Sequence, residues 1–269
     1  MKPSRLVPSF RERIWGSTEL EPWFPGAGSR IGEVWFEHPE PLPILVKFLF
    51  ASEDLSVQVH PDDDYARTHE NSCGKAEMWH VLRAAPGAKI GLGFCETTTR
   101  EKLREGALSG EILNLLRWFP AAAGQTYFTP ARTVHAIGAG VAICEIQQNS
   151  DVTYRLYDYG RGRELHLERA LEVADLGPHP GPAPPAKLNG NRELLARCRY
   201  FATELERLTS EVDSAPDASR FELLIVLEGR GAISGERFQA GEVWHVPARA
   251  RAFRLSPDVP TTLLRTYVP

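Results

Sequence analysis

The sequence contains few of the features that would assign it to the secretory pathway, a membrane or nucleic acid. Its four cysteines are scattered and include no C-x-x-C pair, which argues against a zinc ribbon or a redox motif and favours free thiols in a reducing compartment. No run of about 18 apolar residues is present to span a membrane, and the segment MKPSRLVPSFRERIW lacks the apolar stretch of a signal peptide. The formal net charge of −4 gives no basic excess for nucleic acid or an anionic membrane. We therefore expect a cytoplasmic protein with neither of these partners.

The composition is that of an ordinary globular protein. With 269 residues, 42% hydrophobic and 25% charged, the chain is long enough for one large β domain or two domains of about 130 residues. Short apolar runs rich in β-branched and aromatic residues, separated by Gly, Pro and Asp, predict many short strands. The predicted strands are 44–50, 55–59, 78–82, 125–128, 141–147, 153–159, 200–205, 221–227, 231–238, 242–246 and 261–267. Strands at this spacing imply a sandwich or barrel.

One segment, residues 97–119, has helical rather than strand periodicity. Threonines at its start offer an N-cap, and Pro120 stops the run. We predict one or two short helices here, broken near Gly106 or Gly110. The apolar residues that recur at helical spacing are Leu103, Leu108, Ile112, Leu115, Leu116 and Phe119.

The segment LGPHPGPAPPAKL is the best candidate for a linker, because its Pro and Gly content is unsuited to regular structure. Similar text occurs on both sides of it: GQTYFTPARTVHAI in the first half and GEVWHVPARARAF in the second. Two copies of one β-barrel module would explain the similarity. We therefore predict a first domain at 1–175, a linker at 176–190 and a second β domain at 191–269.

Polar residues in three separate segments can form a divalent-metal site. Gln58 and His60 lie two apart on a predicted strand and so share a face, as do Lys75 and Glu77 at the start of another. The third segment supplies His135, just after Pro130 and before a Gly-rich turn. Imidazole, carboxylate and amide oxygen around one cavity suit such a metal. Each residue alone would more often be structural, so the spacing suggests a site without establishing it.

Three other histidines compete as ligands. His80 lies three residues beyond Glu77 on a strand and faces the other way, and His69 is in a polar segment that we expect to be exposed. His245 is in the second half, which lacks the Q-x-H and K-x-E patterns. We therefore predict that the second β domain carries no metal.

Three stretches together resemble the mannose-6-phosphate isomerase family in its short bacterial form: LSVQVHPDDDYA, GKAEMWHVL and YFTPARTVHAIGAGVAICEIQQNSDVTYRLYDYGR. The resemblance covers about residues 15–172. It implies a mainly β fold of two cupin (jelly-roll) barrels, with a short helical segment between strands of the first. The large helical insertion of longer family members is absent. The implied activity is a metal-dependent aldose–ketose isomerisation of mannose 6-phosphate and fructose 6-phosphate through an enediol, with a sugar phosphate as the partner.

The resemblance also implies roles for particular residues. One zinc ion per chain would be held by Gln58, His60, Glu77 and His135. Arg155 matches the family's catalytic arginine, and Asp151 lies four residues before it. In this mechanism Lys75 is the base, its pKa depressed by the nearby metal; Arg155 clamps an enediolate oxygen, and Asp151 orients Arg155 or shuttles a proton.

Two other functions stay open at this stage. A non-catalytic sugar-phosphate-binding cupin would keep the barrel, but the presence of Lys75 and Arg155 argues against it. Another metal-dependent cupin enzyme, such as an iron dioxygenase, would favour His-rich or two-His-one-carboxylate ligation, which a Gln ligand fits less well.

Overall fold

Antiparallel strands make up most of the computed structural model, which describes residues 2–269. The strands of the first half are β1 (Ser4–Arg5), β2 (Pro8–Ser17), β3 (Ile31–Phe36), β4 (Ile44–Ala51), β5 (Val57–Val59), β6 (Glu77–Ala84), β7 (Lys89–Phe94), β8 (Leu116–Pro120), β9 (Thr126–Thr129), β10 (His135–Ile137), β11 (Val141–Gln148) and β12 (Tyr154–Tyr157). Those of the second half are β13 (Ala186–Lys187), β14 (Arg192–Arg197), β15 (Ala202–Leu208), β16 (Val212–Ser214), β17 (Glu222–Glu228), β18 (Arg230–Ile233), β19 (Glu236–Gln239), β20 (Val243–Val246), β21 (Phe253–Pro257) and β22 (Thr261–Tyr267).

Four helices accompany the strands, and none of these described helices is long and apolar enough to cross a membrane. They are α1 (Asp63–Glu70), α2 (Arg100–Ser109), α3 (Ile112–Leu115) and α4 (Leu167–Val173).

The strands form two barrels, each made of two sheets. In the first barrel, a six-stranded sheet of order β2-β3-β4-β11-β6-β9 packs against a five-stranded sheet of order β12-β5-β10-β7-β8. In the second, a seven-stranded sheet of order β1-β20-β17-β22-β15-β14-β13 packs against β16-β21-β18-β19. Helices α2 and α3 lie between strands β7 and β8. The expected mainly β fold with two barrel modules and a helical segment in the first is confirmed.

Each barrel has its own apolar interior, and a third core joins the two. Leu49 and Leu92 belong to the interior of the first barrel, and Leu224 and Leu255 to that of the second. Between the barrels, buried side chains from both large sheets pack in one continuous cluster; they include Phe48, Phe50, Ile146, Leu205, Ile225 and Leu264. Burying each such side chain contributes about 1.5–3 kcal/mol, so the two barrels are held together by a substantial hydrophobic interface.

The predicted helical segment is partly right. Helix α2 begins after Thr99, whose side chain caps Lys102 N, and ends at Gly110, which has a positive φ of 87°. The residues after α3, however, form strand β8 rather than helix. This strand pairs with β7, where Gly91 leaves room for the ring of Trp118; a Cβ on Gly91 would lie 3.3 Å from that ring. Tertiary pairing therefore overrides the helical spacing of these apolar residues.

Other differences concern local structure. The predicted strand at 231–238 is a hairpin of β18 and β19, because Ser234 and Gly235 both have positive φ and turn the chain. Helices α1 and α4 were not predicted. Strand β13 lies within the predicted linker, and the linker packs on the first barrel: Phe94 N donates to Gly177 O at 3.2 Å. The division into domains at 1–175, 176–190 and 191–269 stays a proposal.

The two barrels repeat one strand order, in which β4-β11-β6-β9 corresponds to β15-β22-β17-β20. The register of the strands makes this correspondence specific. Glu77 is paired with Thr129 on β9, and Glu222 is paired with Val246 on β20. Thr129 and Val246 occupy the same position in the two similar segments, each directly before Pro-Ala-Arg. Glu222 is therefore the counterpart of Glu77.

Candidate metal centre

The five-stranded sheet places three predicted site residues side by side. Gln58 on β5 is the cross-strand neighbour of His135 on β10 and of Arg155 on β12. Directly opposed residues of antiparallel strands point to the same face, so the three side chains form a row. Gln58 Nε2 lies 3.3 Å from His135 Nε2.

The six-stranded sheet supplies the carboxylate that faces this row. Glu77, at the start of β6, has Oε1 at 3.3 Å from His60 Nε2 and Oε2 at 3.9 Å from His135 Nε2. One ligand atom from each of the three residues lies within 4.8 Å of the other two. All three side chains are buried. The structure thus brings together the histidines and the carboxylate that the sequence predicted as ligands.

Backbone carbonyls fix the orientation of both histidines. His60 Nδ1 lies 2.8 Å from Val152 O, and His135 Nδ1 lies 2.9 Å from Thr133 O. Because a carbonyl only accepts, each Nδ1 carries the proton and each Nε2 keeps its lone pair toward Glu77. Burial lowers the pKa of His135 to about 3 and also lowers that of His60. Both rings are therefore neutral at pH 7, the form that binds a metal.

Glu77 provides the test of whether a metal fits. Burial alone would raise its pKa, but the positive charge of Lys75 is the largest opposing effect, and the pKa lies well below its usual range. Its Oε2 is buried and has no hydrogen-bond partner. Such an atom is costly unless a cation completes its coordination. Two neutral imidazoles, a carboxylate and an amide suit zinc, so the residues present fit the group.

Lys75 lies within the same cluster. Its Nζ is 3.1 Å from His60 Nε2 and forms an ion pair with Glu77 Oε1. Burial lowers the pKa of Lys75, but the negative charges of Glu77 and Glu145 outweigh this and raise it above 10.5. The depressed pKa expected from the sequence therefore depends on a metal charge that would offset Glu77.

A cavity of about 470 Å³ opens beside these residues, between the two sheets of the first barrel. It is lined by Gln58, Lys75, Asp151 and Arg155, among others. Arg155 Nη1 donates to the carbonyl of Glu164 at 2.7 Å, and its buried Nε has no partner. Asp151 is exposed at the cavity edge. Arg155 is thus anchored by a backbone carbonyl rather than by Asp151.

Two buried charged residues of this cavity were not predicted from the sequence. Lys47 on β4 is opposite Glu145 on β11, which is opposite Trp79 on β6. Trp79 Nε1 donates to Glu145 Oε1 at 2.8 Å, and Lys47 Nζ lies 3.8 Å from Glu145 Oε2. Burial, reinforced by the charge of Glu77, raises the pKa of Glu145 to about 7. A charged residue inside each apolar strand, ILVKFLFA and VAICEIQQ, was the available signal.

The competing histidines lie elsewhere. His80 faces a cavity between the barrels that Leu205 and Arg207 also line, as its position on the opposite face of β6 predicted. His69 is exposed on α1 and stacks on Tyr65 at 4.1 Å. His245 lies on β20 of the second barrel.

The second barrel has a charged counterpart of the K-x-E pattern, which we had expected it to lack. Because Glu222 corresponds to Glu77, Arg220 corresponds to Lys75. Glu222 forms an ion pair with the buried Arg265, whose Nη2 lies 3.0 Å from Glu206 Oε2. The K-x-E pattern does not identify Arg220 and Glu222, because arginine occupies the position of its lysine.

The chain is similar in sequence and fold to proteins named mannose-6-phosphate isomerases. The chain is 34% identical to the probable mannose-6-phosphate isomerase GmuF of Bacillus subtilis, over 94% of this chain and 96% of the relative. The crystal structure of the mannose 6-phosphate isomerase of Bacillus subtilis superposes with a TM-score of 0.87 at 29% identity, covering 99% of both chains. A zinc-bound mannose 6-phosphate isomerase superposes with a TM-score of 0.80 at 18% identity and shares the fold over the full length of both chains. No protein-family model matches the chain.

Proposed function

The chain belongs to the mannose-6-phosphate isomerase family, and on this premise we propose that it interconverts mannose 6-phosphate and fructose 6-phosphate. The observation that carries the proposal is the buried cluster of His60, Glu77 and His135 beside a cavity lined by Lys75 and Arg155. Relatives named as isomerases over most of the chain favour a catalytic role over a binding role.

Gln58, His60, Glu77 and His135 would hold one zinc ion. When bound, the ion supplies a Lewis acid that polarises the oxygens on the two carbons between which the carbonyl moves. The support on this chain is the unpartnered Glu77 Oε2 and the two Nε2 lone pairs directed at it.

The isomerisation removes a proton from one carbon and returns it to the neighbouring one, so a group in the cavity must accept and release it. Lys75 remains the proposed base, because it is next to the ligand set. Glu145 is the second candidate: a pKa of about 7 allows it both to accept and to release a proton at neutral pH. The hydrogen bond from Trp79 keeps the carboxylate oriented toward the cavity.

Arg155 would donate hydrogen bonds to the enediolate oxygen, where negative charge develops. Arg155 is the cross-strand neighbour of Gln58 and so lies on the same side of the cavity as the proposed metal ligands. The hydrogen bond to Glu164 O limits its rotamers. Asp151, at the exposed edge, would contact the incoming sugar phosphate or exchange protons with solvent. We propose a cytoplasmic enzyme whose second module, 191–269, holds no metal.

The direct test is turnover by purified, zinc-loaded protein. Fructose 6-phosphate is supplied, and mannose 6-phosphate is followed in a coupled assay with and without a chelator. We expect turnover that the chelator abolishes and added zinc restores. A folded, zinc-loaded sample with no turnover would contradict the substrate assignment.

A further inference from the structure

We propose that the second barrel acts as a positioning element for the active site, by means of a hydrogen-bonded connection from Tyr200 through Asp63 to the segment that carries Lys75. The inference rests on the proposed function only in naming Lys75 as catalytic. The connection itself is a set of contacts between the two barrels. It assigns a role to the second barrel, for which no metal is proposed.

The backbone N–H groups of residues 74–76 are all bound by three fixed acceptors. Gly74 N donates to the Asp63 side chain (Oδ1) at 2.9 Å, and Lys75 N donates to Pro61 O at 3.1 Å. Ala76 N donates to Gln148 Oε1 at 2.9 Å. The backbone position of Lys75 is therefore set by Pro61 O and by the acceptors that hold its two neighbours in the chain.

Asp63 takes part in two of these three contacts, in one directly and in the other through Gln148. Its Oδ1 accepts from Gly74 N and also from Gln148 Nε2, at 2.9 Å each. It therefore holds residue 74 by a direct hydrogen bond and residue 76 through the side chain of Gln148. Hydrogen bonds to an ionised carboxylate are about twice as strong as neutral ones.

Gly74 shows how closely the two segments approach. A Cβ on this residue would lie 2.6 Å from Asp63 N and 2.7 Å from Asp62 C, which are backbone atoms that cannot move aside cheaply. The segment before Lys75 therefore rests directly on the start of α1. A shift of Asp63 would therefore move Gly74 and, with it, Lys75.

The second barrel holds the other oxygen of Asp63. Tyr200, in the turn between β14 and β15, donates from its hydroxyl to Asp63 Oδ2 at 2.8 Å. Arg199 Nη2 lies 3.0 Å from the same oxygen, but its side chain is 72% exposed, so this ion pair contributes little. Tyr200 packs against the core shared by the barrels and is the anchored partner.

The consequence is catalytic rather than merely structural. A misplacement of about 1 Å in a reacting group costs about 10²-fold in rate. Loss of the Asp63 carboxylate should therefore lower kcat through Lys75. The ligand Glu77 follows two residues later, but its pairing with Thr129 and Gln147 in the sheet fixes its position, so the metal should be kept.

The test compares Asp63→Ala, Asp63→Asn and Tyr200→Phe with the parent. Tyr267→Phe is the matched control, because it also removes a buried tyrosine hydroxyl bond in the second barrel, to Glu204 at 2.6 Å, away from the connection. Hydrogen exchange of residues 73–77 and kcat, KM and zinc content of the full chain are measured.

We expect Asp63→Ala to speed exchange at residues 74–76 by about tenfold or more and to lower kcat by about 10–100-fold, with KM and zinc content retained. Tyr200→Phe should act in the same direction by several-fold. Asp63→Asn keeps an acceptor for Gly74 and Gln148 and should recover most of the loss, and Tyr267→Phe should match the parent.

Parent-like exchange and kcat in both Asp63→Ala and Tyr200→Phe would overturn the inference, as would an equal effect of Tyr267→Phe. If the parent itself has no turnover, the proposed function fails, and the exchange comparison still decides whether the second barrel holds this segment.

Discussion

Lys75 Nζ and His60 Nε2 lie 3.1 Å apart, so the proposed base contacts the lone pair that the proposed metal would use. The ammonium and a metal cation therefore compete for His60 and Glu77. We expect Lys75→Met to lower turnover by about 10²–10⁴-fold, the range for loss of a positioned proton-transfer group. Because the competing charge is gone, zinc should bind as tightly as in the parent, or more tightly.

Zinc affinity by chelator competition and kcat by the coupled assay check this prediction. Lys187→Met is the matched control, since Lys187 is exposed in the predicted linker. Loss of zinc together with activity would mean that Lys75 serves the metal site rather than proton transfer.

Removal of the carboxylate ligand should separate metal binding from folding. In the parent, saturating zinc should raise the melting temperature, because a ligand at 100 times its Kd adds about 2.7 kcal/mol to the free energy of unfolding. Glu77→Gln weakens the ligand while keeping its volume, so we expect neither zinc-dependent stabilisation nor turnover. Thermal unfolding with zinc and with a chelator measures this. A Glu77→Gln variant that zinc still stabilises would show that the metal binds elsewhere.

Glu145 should control the acid side of the pH–rate profile if it is the base. Its pKa of about 7 means that the carboxylate is protonated below pH 7 and able to accept a proton above it. We therefore expect kcat/KM to rise as the pH passes through about 7 and Glu145→Gln to lose that rise along with about 10²-fold or more in rate. An unchanged profile in Glu145→Gln would leave Lys75 as the base.

Much of the metal cluster was predictable from the sequence, because its residues occur in pairs that are two positions apart in the chain. Period-two spacing predicts Gln58 beside His60 and Lys75 beside Glu77. Lys75 does form an ion pair with Glu77, although His60 and Lys75 lie just outside strands β5 and β6. His80, three residues from Glu77, faces the other barrel for the same reason. Local spacing does not say which segments meet, and only the family resemblance indicated that.

Residues whose role depends on cross-strand register were missed. Lys47 and Glu145 are nearly a hundred residues apart in the chain, and each is a single charge in an apolar strand. Nothing local shows that both point inward and face each other. The same limit explains strand β8, where pairing with Gly91 decides the conformation. Helix α1 was missed because Ala66 is its one buried residue, so it has almost no apolar periodicity.

The ion cluster of the second barrel should be needed for its stability. Arg265 is buried between Glu206 and Glu222, so Arg265→Met leaves the buried Glu222 without a cation and Glu206 with only the partly exposed Arg192. Breaking a buried pair in this way costs about 3–5 kcal/mol, and denaturant unfolding should show a loss of this size. The triple change Arg265→Met, Glu206→Leu and Glu222→Met removes the charges together and should recover most of it. A parent-like Arg265→Met variant would contradict this.

His80 should make the protein less stable in acid. Burial, with a smaller contribution from the charge of Arg207, lowers the pKa of His80 to about 4 from 6.5. The folded state therefore favours the neutral ring, and between pH 6.5 and 4 the unfolded state binds more protons. The contribution of His80 is fully present above pH 6.5 and is lost as the pH falls toward 4, by about 3 kcal/mol in the free energy of unfolding.

His80→Asn can keep the hydrogen bond to Thr126 but does not titrate, so its stability should fall less over this range. Denaturant unfolding of the chelator-treated protein at several pH values measures the difference, with the exposed His69→Asn as the control. If the free energy of unfolding fell equally with pH in His80→Asn and in the parent, the folded protein would take up the proton at His80 without loss of stability.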